Sequence, residues 1–168
     1  MQNYEIIDVY NEEGKIIRQC IRDDSKPMAG FFLSVHLIVI SKNNKFIVQK
    51  RKNKAIDNGK WDILSGVVKS GESSYEAAYR ELYEELSIKK NDCEISYKER
   101  IMGKKNIMDI YIVKLKRKMH IEYQHEEISE IKYIDSKTLY NIFDSSDKEE
   151  ELKSCIYEIL FDASPYIT

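Results

Sequence analysis

Residues 66–88, GVVKSGESSYEAAYRELYEELSI, contain the most informative pattern in the sequence. Apolar side chains within it recur at spacings of three and four residues, as on one buried stripe of a helix; they are Tyr75, Ala78, Tyr79, Leu82 and Leu86. The pattern predicts a helix over residues 73–86, with Ser73 or Ser74 as its N-cap.

Three carboxylates share one flank of this predicted helix. At about 100° per residue, Glu81, Glu84 and Glu85 fall within an arc of about 100°, beside the apolar stripe. Two such charges roughly 5 Å apart repel by about 3 kcal/mol at an effective dielectric of about 20, so a cleft lined by them needs a cation. Oxygen ligands of this kind suit Mg²⁺ or Mn²⁺. Spacing alone leaves open a solvated helix face with ion pairs to Arg80.

The order of residues around the helix is more specific than the helix itself. Gly66, five residues, Glu72, seven residues and then RELYEELSI at 80–88 closely resemble the Nudix box, a loop-helix-loop signature. One fixed position differs, because Ser87 stands where the family has Gly. That position ends the helix, where a left-handed cap is easy for Gly and strained for most other residues. The change removes no ligand.

The resemblance implies both a fold and a reaction. It implies a Nudix-type α/β/α sandwich, an α/β fold with a mixed β-sheet preceded by an N-terminal β-hairpin, as a single domain over residues 1–168. The implied reaction is hydrolysis of a nucleoside diphosphate linked to another group, by attack of water at phosphorus with Mg²⁺ or Mn²⁺ as cofactor.

The resemblance also implies roles for individual residues of the box. The metal ligands would be the carbonyl of Gly66 and the carboxylates of Glu81, Glu84 and Glu85. Arg80 and Glu72 would brace the loop against the helix. Catalysis would draw on Glu81 and Glu84, either of which could accept the proton of the attacking water.

Family members often add an acidic residue from a later loop, and three glutamates here are candidates. We favour Glu127, which lies six residues before Tyr133, a position that is aromatic in many members. Glu126 is the second choice and Glu130 the third. An acidic surface loop without a role in catalysis is the alternative.

Four residues outside the box are candidates for substrate binding. Arg51 and Lys52 belong to a basic run at the end of a strand, which could attract phosphates or simply be solvated. His36 interrupts an apolar strand and would either contact substrate or be a hydrogen-bonded core residue. Trp61 could stack on a base, although it and Tyr75 are first of all candidates for the core.

Residues 5–72 look most like the branch of the family that is related to isopentenyl diphosphate isomerase. That isomerase needs a Cys just before the box Gly and metal-binding histidines, whereas this chain has Ser65, Val67 and Phe32 at those places. A hydrolase is therefore the better interpretation. A nucleotide sensor without turnover and an RNA 5′-end pyrophosphohydrolase remain as alternatives.

Composition limits the partners and the compartment. The chain has 168 residues, 42% of them apolar, and a net charge of -2, which fits one domain with a small nucleotide substrate and disfavours nucleic acid as partner. A homodimer is left open. Three widely spaced cysteines outside any metal pattern indicate reduced thiols in the cytoplasm. The start of the chain lacks an export signal, and residues 31–40 are too short to span a membrane.

The remaining pattern predicts alternating strands and two further helices, which suggests a sheet covered on both faces. The predicted strands are residues 4–10, 15–22, 31–40, 46–51, a short one within 61–68, 93–102, 107–115 and 128–134, and the predicted helices are 136–143 and 148–161.

Overall fold

The computed structural model describes residues 4–26, 28–52 and 59–161. The described strands are β1 (Ile6–Tyr10), β2 (Ile16–Ile21), β3 (Phe31–Ile40), β4 (Phe46–Arg51), β5 (Trp61–Asp62), β6 (Leu64–Val67), β7 (Cys93–Met102), β8 (Asn106–Leu115) and β9 (Ile128–Ile134). The described helices are α1 (Ser74–Leu86), α2 (Ser136–Asp144) and α3 (Glu150–Phe161), and a 3-10 turn covers Lys90–Asp92. The predicted elements are all present. None of these helices is long and apolar enough to cross a bilayer.

The predicted strand within residues 61–68 is divided into two. Asp62 Oδ1 accepts the amide of Ile63 at 2.8 Å, which takes that amide out of the strand ladder. β5 consequently pairs with β4, whereas β6 pairs with β3.

β3 is the central strand of one mixed sheet. It runs parallel to β8 from Phe32 to Ile40, and β7 extends the sheet beyond β8. Along its other edge β3 pairs antiparallel with β1, β6 and β4 in turn. β9 adds to β4, and the hairpin partner β2 ends the sheet on the far side of β1.

Alternation along β3 divides the core into two layers. Leu33, Val35, Leu37 and Val39 belong to the core beneath α1, whereas Ile38 and Ile40 belong to the core beneath α2 and α3. The sheet is therefore covered by helices on both faces, and the predicted α/β/α sandwich is confirmed.

Local signals fix both ends of α1. Ser73 is the N-cap and forms a reciprocal capping box with Glu76. At the other end Ser87 is left-handed, with φ 54°, and its amide donates to the carbonyls of Leu82 and Tyr83. The prediction that Ser87 occupies the Gly-type cap is confirmed. The prediction of Tyr75 as core is wrong, because this residue of the first turn is 43% exposed.

Candidate active site

The strand backbone and α1 approach each other closely at Gly66. β6 presents this residue towards α1, and a Cβ built on it would overlap Cδ and Oε1 of Glu81. The carboxylate of Glu81 therefore rests directly on the strand backbone. Any side chain at position 66 would displace Glu81, which explains in steric terms why Gly is needed there.

Arg80 joins the loop to the helix and uses all five of its N–H groups. Nε and Nη2 donate to the carboxylate of Glu72 at 3.1 and 2.6 Å, and Nη2 also donates to the carbonyl of Val67 at 2.9 Å. Nη1 donates to Glu81 at 2.7 Å and to Glu84 at 3.1 Å. One guanidinium thus holds two carboxylates of the helix while it anchors the loop that precedes the helix through Glu72 and Val67.

Charge and burial shift the pKa values of these groups. Burial disfavours the charged form of Arg80, but its ion pairs with Glu72 and Glu81 outweigh this and raise its pKa well above the usual value. The pKa of Glu81 is also raised, first by burial, with Glu84 and Glu127 adding to the shift and Arg80 opposing it. Glu127 therefore lies within electrostatic reach of Glu81, although 46 residues separate them in sequence.

Two of the three helix carboxylates are buried. Glu81 is 8% and Glu85 6% exposed, whereas the side chain of Glu84 is 47% exposed. The prediction that all three lie beside the buried stripe is wrong for Glu81 and Glu85. One reason is that the segment after β8 crosses the helix, where the amide of Gln124 donates to the carbonyl of Glu85 at 2.9 Å.

Among the three downstream candidates, Glu127 has the placement closest to the box. It is partly buried, its carbonyl accepts the amide of Lys52 at 2.8 Å, and its amide donates to Gln124, the residue bonded to α1. Glu126 and Glu130 are both exposed, and Glu130 is paired with a lysine. The geometry thus favours Glu127 over the other two candidates, while the role itself stays a prediction.

His36 and Arg51 lie on the opposite face of the sheet from α1. His36 pairs across the ladder with Ser65, and Arg51 Nη1 donates to Ser65 Oγ at 3.4 Å. Lys148 joins them by an ion pair of 2.5 Å with the buried carboxylate of Asp62, which also lies 3.8 Å from Arg51. We call these five residues the opposite-face cluster.

His36 is uncharged in this cluster. Burial and then the positive charges of Lys148 and Arg51 lower its pKa to about 3. Its Nε2 lies 3.2 Å from Ser34 Oγ, so the imidazole is held by a hydrogen bond. Two cations against one carboxylate leave the cluster with a net positive charge.

The other two substrate-binding candidates lie apart from each other. Lys52 Nζ donates to the carbonyl of His125 at 3.0 Å, which places it beside the loop of Glu127. Trp61 is partly buried against the core of α2 and α3, with Lys132 Nζ 4.5 Å from its ring centroid. The rest of the basic run, residues 53 and 54, lies outside the described residues.

Lys148 and Asp62 are residues of the cluster that sequence reasoning missed. They are 86 residues apart, and each sits in a segment without a motif. Only the packing of the segment before α3 against β5 brings them together. No local signal in the sequence could have shown this pair.

The donor set around Gly66 suits a divalent cation. The available ligands are oxygen atoms, and Gly66 leaves the Glu81 carboxylate against the strand backbone without a side chain between them. Among the described residues, no three carboxylate, histidine or cysteine side chains converge on one point. Arg80 lies between Glu81 and Glu84, and the exposure of Glu84 leaves it room to turn inward.

Comparison with known proteins agrees with this geometry. An RNA pyrophosphohydrolase of Pelagibacter ubique is 36% identical, over 64% of this chain and 78% of its own length. A Francisella tularensis protein of the same name is 30% identical, and the match covers 48% of this chain and half of that protein. A crystal structure from Deinococcus radiodurans has a TM-score of 0.77 at 18% identity, over 92% of this chain and 98% of its own, and shows the fold.

The family profile of the NUDIX domain matches residues 30–154. This range contains the whole box, α1 and α2; it begins after the hairpin of β1 and β2 and ends within α3. The chain therefore belongs to the NUDIX domain family, and with every carboxylate of its box present it is an enzyme of the Nudix hydrolase type.

Proposed function

We propose that the protein is a metal-dependent hydrolase that cleaves the diphosphate linkage of a nucleoside diphosphate joined to another group. The observation that carries the proposal is the contact of Glu81 with the backbone of Gly66, braced by Arg80. It supports the box as a built site, because a solvated helix face would not bury two glutamates against a strand.

The metal would be held by the carbonyl of Gly66 and by the carboxylates of Glu81, Glu84 and Glu85. Mg²⁺ or Mn²⁺ bound there would neutralise charge on the bridging phosphate oxygens and lower the pKa of a bound water. Arg80 has no N–H left for the substrate, so its part is to position Glu81 and Glu84.

Proton transfer from the attacking water would fall to a carboxylate of this group. Glu81 has a raised pKa, which brings a carboxylate closer to the basicity that a general base needs. Glu127 is the downstream candidate, because its charge reaches Glu81. Either residue must stand within hydrogen-bond distance of the water in the enzyme-substrate complex.

The opposite-face cluster is the proposed contact for an anionic part of the substrate. Arg51 and Lys148 supply positive charge, and the neutral His36 can donate or accept a hydrogen bond. Lys52 lies at the edge of the sheet near Glu127 and would attract phosphate on the side of the box. Trp61 is only partly buried, and its exposed part could stack on a base.

A second candidate substrate is the 5′ end of RNA. It is favoured by the relative of Pelagibacter ubique, which is named an RNA pyrophosphohydrolase. The isomerase reaction has no such support, because Ser65 cannot act as a thiol and Val67 cannot bind metal. A sensor domain without turnover would not need the carboxylates that this chain keeps.

The test is a screen for Mg²⁺-dependent release of phosphate or nucleoside monophosphate. The substrates are nucleotide sugars, dinucleoside polyphosphates, nucleoside triphosphates, dinucleotide cofactors and RNA with a 5′-triphosphate. Glu84→Gln should lower turnover on the best substrate by at least about 100-fold with the fold intact, because it removes one charged ligand. Glu94→Gln, at an exposed position of β7, is the matched control and should retain full activity.

Full turnover by Glu84→Gln, or by the wild-type protein in excess chelator, would contradict the mechanism. Absence of turnover on every substrate would contradict the proposed reaction. Circular dichroism of each variant verifies that a loss of activity is not a loss of fold.

A further inference from the structure

Positive charge is concentrated in a groove at one end of the sheet. The groove lies between the turn joining β3 to β4 and the segment after β8, and its volume is about 320 Å³. Of the nine described residues that line it, four are cations and none is a carboxylate; the cations are Lys42, Lys45, Arg117 and Lys118. We call it the basic groove. Because the chain as a whole has a net charge of -2, this is a marked local excess.

Negative charge collects on the other side of the molecule. A second groove, of about 540 Å³, lies between β7 and α3. Its lining includes one arginine and four glutamates, which are Glu99, Glu150, Glu151 and Glu158. A polyanion would therefore be repelled from the α3 side and attracted to the basic groove.

Neighbouring carboxylates neutralise only part of the basic groove. Arg117 donates to Asp92 at 2.8 Å and so is already paired. Asp135, at the start of α2, interacts electrostatically with Lys45. Lys42, Lys45 and Lys118 are all exposed, and their ammonium groups supply most of the positive potential of the groove.

An aromatic ring stands beside these cations. Tyr133 lines the groove and is 46% exposed. An exposed ring next to lysines is the combination on which bases of single-stranded nucleic acid stack while their phosphates are neutralised. The pairing of an exposed ring with lysines favours single-stranded nucleic acid as the occupant of the groove.

The basic groove and the box lie on the same face of the sheet. Ile131 packs on the core of α1, and side chains two apart on a strand share a face, so Tyr133 also faces the α1 side. Glu127 precedes Tyr133 by six residues, which at about 3.3 Å per residue is about 20 Å. A few nucleotides of extended RNA would span this distance.

We propose that the basic groove binds the strand of an RNA whose 5′ phosphates lie at the box. The inference rests on the proposed hydrolase function and specifies its substrate class. The groove takes backbone phosphates a few nucleotides from the 5′ end, with Tyr133 stacking on one base. It reads no base edge, so binding is independent of sequence.

The experiment measures RNA binding and hydrolysis separately. A fluorescent, unstructured 12-nucleotide RNA with a 5′-monophosphate is titrated by anisotropy, in chelator, with the wild-type protein and with Lys42→Glu/Lys45→Glu. The variant should bind at least about tenfold more weakly, and the salt slope of the wild type should be about -2, as expected for three phosphate contacts to a single strand. Lys104→Glu/Lys105→Glu, at the other end of β8, is the charge-matched control and should bind like the wild type.

The outcomes distinguish the inference from the function on which it rests. Equal binding by both double variants, or no RNA binding by the wild type, overturns the inference. Preferential binding of poly-glutamate over RNA also overturns it and assigns the groove to an acidic protein segment. If RNA binds as expected but no diphosphate is hydrolysed in the substrate screen, the groove stands and the proposed reaction fails. All three proteins should hydrolyse the best small substrate equally.

Discussion

Ser87 adopts a backbone conformation that is strained for residues with a Cβ. Its φ of 54° lies in the left-handed region, yet its amide completes the cap of α1. Ser87→Gly should therefore raise the free energy of unfolding by up to about 1 kcal/mol, because Gly accepts this conformation without a clash. Activity should barely change. Thermal melts of the two proteins test this, and a lower melting temperature for the variant would show that the serine makes a compensating interaction.

The burial of single residues in the box was only partly predictable. The identity of the box residues follows from their spacing, and the contact of Gly66 with Glu81 agrees with it. The burial of Glu85 does not follow from that spacing, because the segment that covers it comes from after β8. Helical periodicity predicts which side of one helix faces the core, but it does not predict which distant segment covers that helix.

Elements with strong local signals were predictable to within two residues. α1 has a capping box at one end and a left-handed cap at the other, and β3 is a long apolar run. The division between β5 and β6 was not predictable, since it depends on one side chain taking the amide of Ile63. In the opposite-face cluster, His36 and Arg51 were candidates from the sequence, whereas Lys148 was not, because only tertiary packing brings it there.

The flank of α1 can be tested as a metal-binding surface by thermal melts. Glu85→Gln should raise the melting temperature in chelator, because a neutral amide is cheaper to bury than a carboxylate and relieves repulsion among the glutamates. It should also reduce the stabilisation that a few millimolar Mg²⁺ gives to the wild type, since a ligand stabilises a fold in proportion to its binding. An identical Mg²⁺-induced shift in both proteins would remove Glu85 from the site.

The candidate sites of the molecule lie on both faces of a single sheet. The α1 face has the box and the basic groove, and the other face has the opposite-face cluster. The layered arrangement was predictable from the order of strands and helices. The distribution of charge over the surface was not predictable. A net charge of -2 is a sum over the whole chain, and it is compatible with one basic and one acidic groove.

The contact between Gly66 and Glu81 makes the geometry of the active site sensitive to the distance between β6 and α1. No side chain stands between strand and helix there, so nothing can absorb a change in their separation. Ala78, fully buried on the side of α1 that packs against the sheet, helps to set that separation. Ala78→Val should cost about 1–3 kcal/mol of stability by overpacking. It should also lower kcat by up to about 100-fold in protein that is still folded, because a shift of about 1 Å misplaces the carboxylate.

Leu152→Ile, in the opposite core, is the control, and its repacking should leave turnover near that of the wild type. Turnover measured well below each melting temperature separates the two effects. If Ala78→Val lost stability but kept full turnover, the carboxylate of Glu81 would keep its position against β6 even when the backbone of α1 moves, and the prediction would be wrong. With the predicted result, the turnover rate depends on the distance between the backbones of β6 and α1. Substitutions that are remote from the substrate can then change the rate by changing the size of the side chain at position 78.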